Sequence, residues 1–238
     1  MASETGHMPV AISRLDANVE TSREPQNARA IKWLLQQSGG PITVVTPRKD
    51  FDSDAIKRLV KQRGVVHLSW KGLFTQGLRG RVLFAWPSRQ QLNDLWGVQA
   101  DALAVIEWNP DETQEWIEDN KPLLLLHDRT EQYVMDETEN LRSDPLPNDV
   151  DSILEYIAQM AAGYSGGLKW NEEDKLKADM MNRPERWVSV TVEQVRTKCK
   201  ELGMRPNDVD TIAGFLQRRK EGQYFRVTSS YRGFHFKD

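Results

Sequence analysis

The sequence predicts an α/β domain built on a parallel sheet, followed by a smaller helical domain. Five short apolar runs between residues 42 and 126 are continuous rather than alternating, which is typical of strands buried on both faces. Helical patterns separate most of these runs, as crossovers between parallel strands require. Beyond residue 149, amphipathic helical patterns replace the apolar runs.

The first domain is predicted to span residues 27–128, beginning with a helix from Asn27 to Ser38. Further helices are indicated by a cap at Asp52 or Ser53, by Ser88 with Gln91, and by Asn109 before a proline. This order of elements predicts a small, three-layer, Rossmann-like domain of about five strands. The predicted strands are Ile42–Val45, Val65–Leu68, Val82–Trp86, Ala102–Trp108 and Leu123–Leu126.

Two segments are predicted to lie outside the folded domains. Residues 1–26 are polar and without periodicity, so we interpret them as a mobile N-terminal tail. Residues 129–149 contain Pro145, Pro147 and an excess of acidic side chains, which is typical of a linker. We expect limited proteolysis to cut this linker first.

The second domain, residues 150–238, is predicted to contain helices followed by a hairpin. Amphipathic stripes favour helices from Asp149 to Ala162 and from Pro206 to Lys220, with shorter helices between them. Two aromatic segments near the end, 224–227 and 231–236, are a plausible hairpin around three polar residues. This order of helices and hairpin resembles that of a winged helix-turn-helix, which implies binding of nucleic acid or of a protein partner.

Composition excludes several classes of protein. The single cysteine, Cys199, rules out an internal disulfide framework and a site of several zinc thiolates. No apolar run approaches the ~20 residues of a bilayer span, and the start has no signal-peptide pattern. The sequence therefore predicts a cytoplasmic protein without a membrane partner. The four histidines form no ligand spacing, and neither a metal nor a cofactor is predicted.

Charge is segregated along the chain although the net charge is only −3. Residues 51–100 carry eight basic and three acidic side chains, and residues 101–150 carry three and fourteen. Residues 181–238 are again basic, with twelve basic and seven acidic side chains. Such blocks are compatible with solvated faces or with sites for anionic partners.

The carboxyl ends of the predicted strands are the place to look for a ligand site, because open parallel sheets bind ligands there. Phosphate-binding glycine motifs are absent from this sequence. Trp86 and Trp108 follow neighbouring strands and predict either a stacking platform or core filling. The predicted ligand-binding residues, chosen as anion contacts or as an acid and base, are Arg48, Lys49, Lys71, Arg89, Glu107 and His127.

The last predicted helix and the hairpin hold the candidate nucleic-acid contacts. Basic side chains there would face phosphates, whereas Asp208 and Asp210 in the first turn of the helix argue for a protein partner. Both interpretations stay open. The predicted contacts are Arg205, Arg218, Arg219, Lys220, Arg226 and Arg232.

The sequence favours a non-catalytic binding protein whose C-terminal domain binds nucleic acid or a protein. One alternative is an enzyme acting on a nucleotide or phosphorylated substrate at the strand ends. Another is a structural subunit of a larger complex. No motif identifies a reaction, and the oligomeric state is not predicted.

Overall fold

The computed structural model describes residues 8–134 and 145–237. The chain divides into two compact units, an α/β unit up to Asp136 and a helical unit from Glu137 onward. The prediction of an α/β fold is confirmed. The first seven residues of the predicted tail and residues 135–144 of the predicted linker lie outside the described residues.

The α/β unit is built on a seven-stranded sheet with the strand order β3-β2-β4-β5-β1-β6-β7. All neighbouring strands are parallel except β7, which is antiparallel to β6. The strands are β1 (Val10–Ser13), β2 (Ile42–Thr46), β3 (Val65–Ser69), β4 (Arg81–Ala85), β5 (Ala102–Ile106), β6 (Leu123–Leu125) and β7 (Thr130–Gln132).

Helices cover both faces of this sheet. Val44 and Leu83 pack on the face covered by α1 (Glu24–Gln36) and α2 (Asp54–Val60). Their neighbours in sequence, Val45 and Phe84, pack on the face covered by α3 (Arg89–Asn93) and α4 (Pro110–Asn120). Because successive side chains of a strand point to opposite faces, a strand covered on both sides must be apolar throughout.

The predicted N-terminal tail is wrong in its central part. Val10–Ser13 is strand β1, which pairs with β5 on one side and with β6 on the other. Ala11 and Ile12 are fully buried there. A strand of four residues is buried by the strands on either side of it. Its own apolar pattern is too short to predict a strand from the sequence. Helix α1 also starts earlier than predicted, at Glu24, with Pro25 in its first turn.

The helical unit contains five α-helices and one short 3-10 turn, Ser229–Tyr231, among its described residues, and the α-helices pack around one core. Thr191 caps the fourth helix as predicted, since its Oγ1 accepts from Gln194 N and Gln194 Oε1 accepts from Thr191 N. The helices are α5 (Asn148–Ala162), α6 (Trp170–Asn182), α7 (Pro184–Trp187), α8 (Val192–Glu201) and α9 (Pro206–Lys220).

The predicted C-terminal hairpin is wrong, because residues 221–237 contain no strand. Side chains of α6 bind the backbone groups that a hairpin would pair. Asn182 Nδ2 donates to the carbonyl oxygens of Arg232 and Phe234 at 2.9 and 2.8 Å. Phe236 N donates to Asp179 Oδ1 at 2.8 Å. The wing of the predicted winged helix is therefore missing, and that assignment is not confirmed.

Within residues 8–134 and 145–237, no helix has both the length and the apolarity that crossing a bilayer would demand.

Candidate ligand-binding site

A cleft of about 910 Å³ opens at the carboxyl edge of the sheet in the α/β unit. It lies at the ends of β2, β4 and β5. Strands β2 and β4 are neighbours in the sheet. The chain runs from β2 to β3 on one side and from β4 to β5 on the other, so the two connections leave this point in opposite directions. Open α/β sheets bind ligands in the crevice that such divergence leaves. The cleft is lined by Arg23, Asn27, Pro47, Asp52, Trp70, Trp86, Pro87, Ser88, Trp108, Asn109 and Glu112.

Tryptophan side chains form much of the cleft wall. The ring centroids of Trp86 and Trp108 are 6.4 Å apart with planes at 70°. Phe51 packs edge-on against Trp86 at 6.1 Å, and Trp70 stacks on Phe84 at 6.5 Å. The sequence identified Trp86 and Trp108 as a candidate stacking platform, and the structure places both in one cleft. Trp108 remains 55% exposed, so one indole surface is available to a ligand.

Trp86 adopts an unusual backbone conformation, with φ at +57°. Left-handed backbone is rare for a bulky residue and costs about 1–3 kcal/mol. Strand β5 holds this conformation, because Trp86 N donates to the carbonyl oxygen of Ile106 at 2.9 Å. The surrounding structure compensates this strain. The left-handed backbone sets the direction in which the Trp86 indole enters the cleft.

Arg23 fixes the orientation of Trp108. Its guanidinium carbon lies 4.2 Å from the Trp108 ring centroid, and Nη2 donates to the Trp108 carbonyl oxygen at 2.9 Å. Nη1 donates to the carbonyl oxygen of Glu107 at 3.2 Å. Burial lowers the pKa of Arg23, and the nearby Glu107 carboxylate opposes that shift. The guanidinium is thus already engaged by main-chain oxygens and by an indole ring.

Three cleft residues hold buried polar atoms that have no hydrogen-bond partner among the described residues. They are Asn27 Oδ1, Trp70 Nε1 and Trp86 Nε1. Asn27 is only 1% exposed, and its Nδ2 donates to Ser53 Oγ at 3.1 Å and to Glu24 Oε1 at 3.3 Å. Buried polar groups are nearly always satisfied, so a concentration of unsatisfied ones is characteristic of a site that meets a further polar group.

At two helix N-termini beside the cleft, those of α2 and α3, a backbone amide is bound by a carboxylate of the chain itself. Glu24 Oε2 accepts from Ala55 N in the first turn of α2 at 3.0 Å. Glu112 Oε2 accepts from Arg89 N in the first turn of α3 at 2.6 Å. Although burial opposes it, hydrogen bonds from Ala55, Ser53 and Asn27 lower the pKa of Glu24. The amides that would otherwise attract a phosphate already bind negative charge.

The four basic residues predicted to bind a ligand are not among the residues that line this cleft. Arg48, Lys49 and Lys71 are exposed at the ends of β2 and β3. Arg89 is engaged by α4, since its guanidinium pairs with Glu115. The structure therefore does not bring the predicted anion contacts together in the cleft.

The predicted acid and base also point elsewhere. Glu107 is 2% exposed and accepts hydrogen bonds from Thr113 Oγ1 at 2.6 Å and Arg14 Nε at 3.2 Å. His127 Nδ1 lies 3.7 Å from Glu20 Oε1. Glu20 pairs with Arg29, and this hydrogen bond, although burial opposes it, lowers the pKa of Glu20. These groups stabilise the segment between β1 and α1.

Several residues that line the cleft were missed by sequence reasoning. Arg23 lies in the segment interpreted as a tail, and Asn27 was interpreted as a helix cap. Glu112 was assigned to the first turn of α4. Asn109, by contrast, caps that helix as expected, accepting from Asp111 N at 3.2 Å. Of the lining residues, Trp86 and Trp108 are the ones that the sequence predicted at this position.

Comparison with protein-family models, with curated proteins and with solved structures gives no match for this chain. Within the described residues, no group of three or more histidine, cysteine, aspartate or glutamate side chains is placed to hold a metal ion.

In the helical unit, the basic residues predicted to contact nucleic acid lie at two places. Arg205, at the start of α9, donates to the carbonyl oxygens of Ser165 and Tyr164 at 2.6 and 3.3 Å. The others lie at the end of α9 and in the segment after it. We call this group the basic cluster; it consists of Arg218, Arg219, Lys220, Arg226 and Arg232.

Three members of the basic cluster bind main-chain oxygens rather than carboxylates. Arg218 Nε donates to Gly214 O at 3.2 Å and stacks over Phe215 and Phe225. Arg219 Nε donates to Met180 O at 3.3 Å, and Lys220 Nζ donates to Val188 O at 3.2 Å. Hydrogen bonds to carbonyl oxygens leave the positive charge uncompensated.

The acidic residues at the start of α9 have partners within the helical unit. Asp208 accepts from Leu168 N at 3.1 Å, and burial raises the pKa of its carboxyl group. Asp210 accepts from Arg196 at 2.7 Å. Cys199 is fully buried, and burial raises the pKa of its thiol to about 12. The flanking lysines therefore do not activate this thiol.

Proposed function

We propose that this chain is a non-catalytic binding protein whose α/β unit takes a small flat ligand in the tryptophan-lined cleft. The observation that carries the proposal is the coincidence of Trp86 and Trp108 with the unsatisfied Asn27 Oδ1 in one cleft. Ligand pockets of this size are mostly apolar, with a few polar groups that orient the ligand. The position at the diverging strand connections supports the same proposal.

Binding fits this cleft better than catalysis does. A general acid or base must lie within hydrogen-bond reach of the reacting atom. Glu107 and His127, the acid and base predicted from the sequence, are engaged away from the cleft. The carboxylates that do line it have partners in the chain, since Glu112 accepts from Arg89 N and Asp52 pairs with Lys57. At the N-termini of α2 and α3, Glu24 and Glu112 already accept from Ala55 N and Arg89 N, which disfavours a phosphorylated substrate there.

Calorimetric titration of the full chain with a panel of flat aromatic compounds tests the proposal. Replacing Trp108 by Ala removes one stacking surface, and we expect it to weaken binding by about 1–3 kcal/mol. Trp96→Ala is the matched control, because Trp96 is half-exposed in the same unit but does not line the cleft. Equal losses in both variants, or no binding by any compound at millimolar concentration, would refute the proposal.

A second candidate function, binding of nucleic-acid phosphates, is proposed for the helical unit. The basic cluster favours it, because none of its five side chains forms an ion pair with a described carboxylate. Other cations of the unit are paired, such as Arg196 with Asp210 and Lys198 with Asp151. Positive charge that no carboxylate pairs attracts polyanions.

Gel shifts of the full chain on duplex DNA at two salt concentrations test this second proposal. We expect the double variant Arg226→Glu with Arg232→Glu to weaken binding to all sequences alike, because phosphate contacts do not read bases. Arg58→Glu with Lys61→Glu makes the same charge change on exposed residues of the α/β unit and serves as control. If the wild-type chain retains no DNA at low salt, a protein partner or a role as a structural subunit becomes the better proposal for this unit.

A further inference from the structure

We propose that the ligand of the cleft is a flat heteroaromatic ring that bears an amino group and no phosphate, as the base of a nucleoside does. This inference rests on the proposed function of the α/β unit. It adds the chemical class of the ligand and the basis on which the cleft selects it.

The shape of the cleft favours a flat ring. Trp86 and Trp108 meet at 70°, so a ring stacked on one indole meets the edge of the other. Indole faces stack well on planar heterocycles. The volume of about 910 Å³ accommodates a bicyclic ring with an attached sugar.

The cleft presents both donors and acceptors, and the donors that no described residue pairs, Trp70 Nε1 and Trp86 Nε1, suit the ring nitrogens of a heterocycle. Asp52 and Glu112 contribute carboxylates, and Asn27 contributes an Oδ1 without a hydrogen-bond partner among the described residues. Acceptors require donors on the ligand, and an exocyclic amino group is the donor that a flat heterocycle most readily offers. Hydrogen bonds to carboxylates are stronger than those between neutral groups, so loss of the amino group should be costly.

The charges of the cleft disfavour a phosphate. Arg23 is the one cation among the described residues that line the cleft, and its Nη1 and Nη2 donate to the main-chain oxygens of Glu107 and Trp108, the two residues after β5. Asp52 and Glu112 outnumber it. Glu24 and Glu112 already accept from one amide each at the N-termini of α2 and α3, Ala55 N and Arg89 N. A phosphate would therefore meet carboxylates where anion sites normally present free N–H groups.

Calorimetric titration of the full chain with three matched probes tests this inference. Adenosine carries the ring and its amino group, purine riboside lacks the amino group, and AMP adds a phosphate. We expect adenosine to bind and each of the other two to bind about tenfold more weakly, or worse.

Variants of helix α4 test whether the charge of Glu112 disfavours a phosphate in the cleft. Glu112→Gln keeps an oxygen for Arg89 N but removes the charge, and we expect it to improve AMP affinity relative to adenosine by about tenfold. Glu118→Gln makes the same change on the same helix outside the cleft lining, and the ratio of the two affinities should stay at the wild-type value.

The outcomes separate this inference from the proposed function. AMP binding as tightly as adenosine would overturn the exclusion of phosphate, and purine riboside binding as tightly would overturn the need for an amino group. If other flat aromatic compounds bind with dependence on Trp108 and adenosine does not, the inference fails while the proposed function stands. If no flat aromatic compound binds, the proposed function itself fails.

Discussion

The guanidinium of Arg23 lies over the indole of Trp108 at 4.2 Å from its centroid and donates to the carbonyl oxygen of the same residue. Arg23 directly precedes helix α1, and Trp108 follows strand β5. One side chain thus joins the start of a helix to the end of a strand and orients a ring of the cleft. Planarity and several donors in a fixed geometry allow an arginine to do both.

Replacing Arg23 by Lys should weaken this link while keeping the charge. A lysine cannot stack a flat cation on the indole and donate to two carbonyl oxygens at once. We expect a loss of about 1–2 kcal/mol in the free energy of unfolding. Ligand affinity in the cleft should also fall, because Trp108 loses its fixed orientation. Urea denaturation and calorimetric titration measure the two effects.

Arg58→Lys is the matched control for this variant, because Arg58 is exposed on α2 outside the cleft lining. Its stability should stay within about 0.5 kcal/mol of the wild type. If Arg23→Lys behaves in the same way, Arg23 is not the link that we infer.

Asp179 is the central polar contact of the helical unit, and its replacement by Asn should be costly. The fully buried carboxylate accepts from Arg186 Nη1 at 2.9 Å, from Trp187 Nε1 at 2.8 Å and from Phe236 N at 2.8 Å. Asparagine has one acceptor oxygen and no charge, so the buried guanidinium of Arg186 would keep its ion pair with Asp149 at 2.8 Å but lose the one with Asp179. We expect Asp179→Asn to cost about 3 kcal/mol in the free energy of unfolding, measured by urea denaturation.

Asp151→Asn supplies the comparison in the same unit. Asp151 pairs with Lys198 Nζ at 2.7 Å, but its side chain is 35% exposed. An ion pair at the surface contributes about 0–1 kcal/mol, so this variant should be close to the wild type. Similar losses in the two variants would contradict the central role of Asp179.

The strand pattern was readable from the sequence, whereas strand β1 was not. Runs such as Val82–Trp86 are apolar throughout because helices cover both faces of the sheet. Val10–Ser13 is equally buried, but four residues among polar neighbours do not make a distinctive pattern. Its position between β5 and β6 depends on pairing with strands that lie more than ninety residues further along the chain.

Missing β1 also affected the candidate site. The sequence placed Trp86 and Trp108 at neighbouring strand ends, and β4 and β5 are indeed adjacent. The sequence also placed Glu107 in the same pocket. Arg14, the residue after β1, instead donates to the Glu107 carboxylate, which is engaged outside the cleft. A side chain at a strand end is directed by whatever lies beside the strand, and a pattern along one strand does not contain that information.

The C-terminal segment illustrates the limit of local patterns. Two short aromatic segments flank three polar residues, as the strands of a hairpin flank its turn. The backbone nevertheless bonds to Asp174, Asp179 and Asn182 of α6. These partners lie about fifty residues earlier in the chain, so the competing interaction was not visible in the segment itself.

Gly80 should tolerate no side chain. Its φ is +69°, and a Cβ atom at this position would lie 2.2 Å from the carbonyl oxygen of Pro41. Gly80 O also accepts from Asp101 N at 2.7 Å, which fixes the turn before β4. We expect Gly80→Ala to cost more than about 2 kcal/mol in the free energy of unfolding, measured by urea denaturation.

Gly64→Ala separates backbone strain from steric overlap. Gly64 has a similar φ of +84°, but nothing lies within 4 Å of the Cβ that alanine would add. This variant should cost only the left-handed strain of about 1–2 kcal/mol. If the two variants lose the same amount, the close approach of Pro41 contributes nothing.

His67 should titrate below its ordinary range, and Lys49 should account for part of the shift. Burial lowers the pKa of His67 from its usual 6.5, and the charge of Lys49 lowers it further. Thr46 Oγ1 donates to the carbonyl oxygen of Arg48 at 2.6 Å, so its contact of 2.8 Å with Nε2 is one in which the imidazole donates. The folded state therefore favours neutral imidazole with its proton on Nε2.

The pH dependence of stability follows from this lowered pKa. Above pH 6.5 the imidazole is neutral in both the folded and the unfolded chain, and its contribution to stability is complete. As the pH falls below 6.5, the unfolded chain takes up a proton before the folded one does, so stability decreases. NMR titration of the His67 ring should give a pKa below 6.5, and Lys49→Ala should raise it. Lys61→Ala, a change on an exposed lysine beyond α2, should leave it in place. A ring that titrates at or above 6.5, or one that responds equally to both variants, would show that neither burial nor Lys49 controls this histidine.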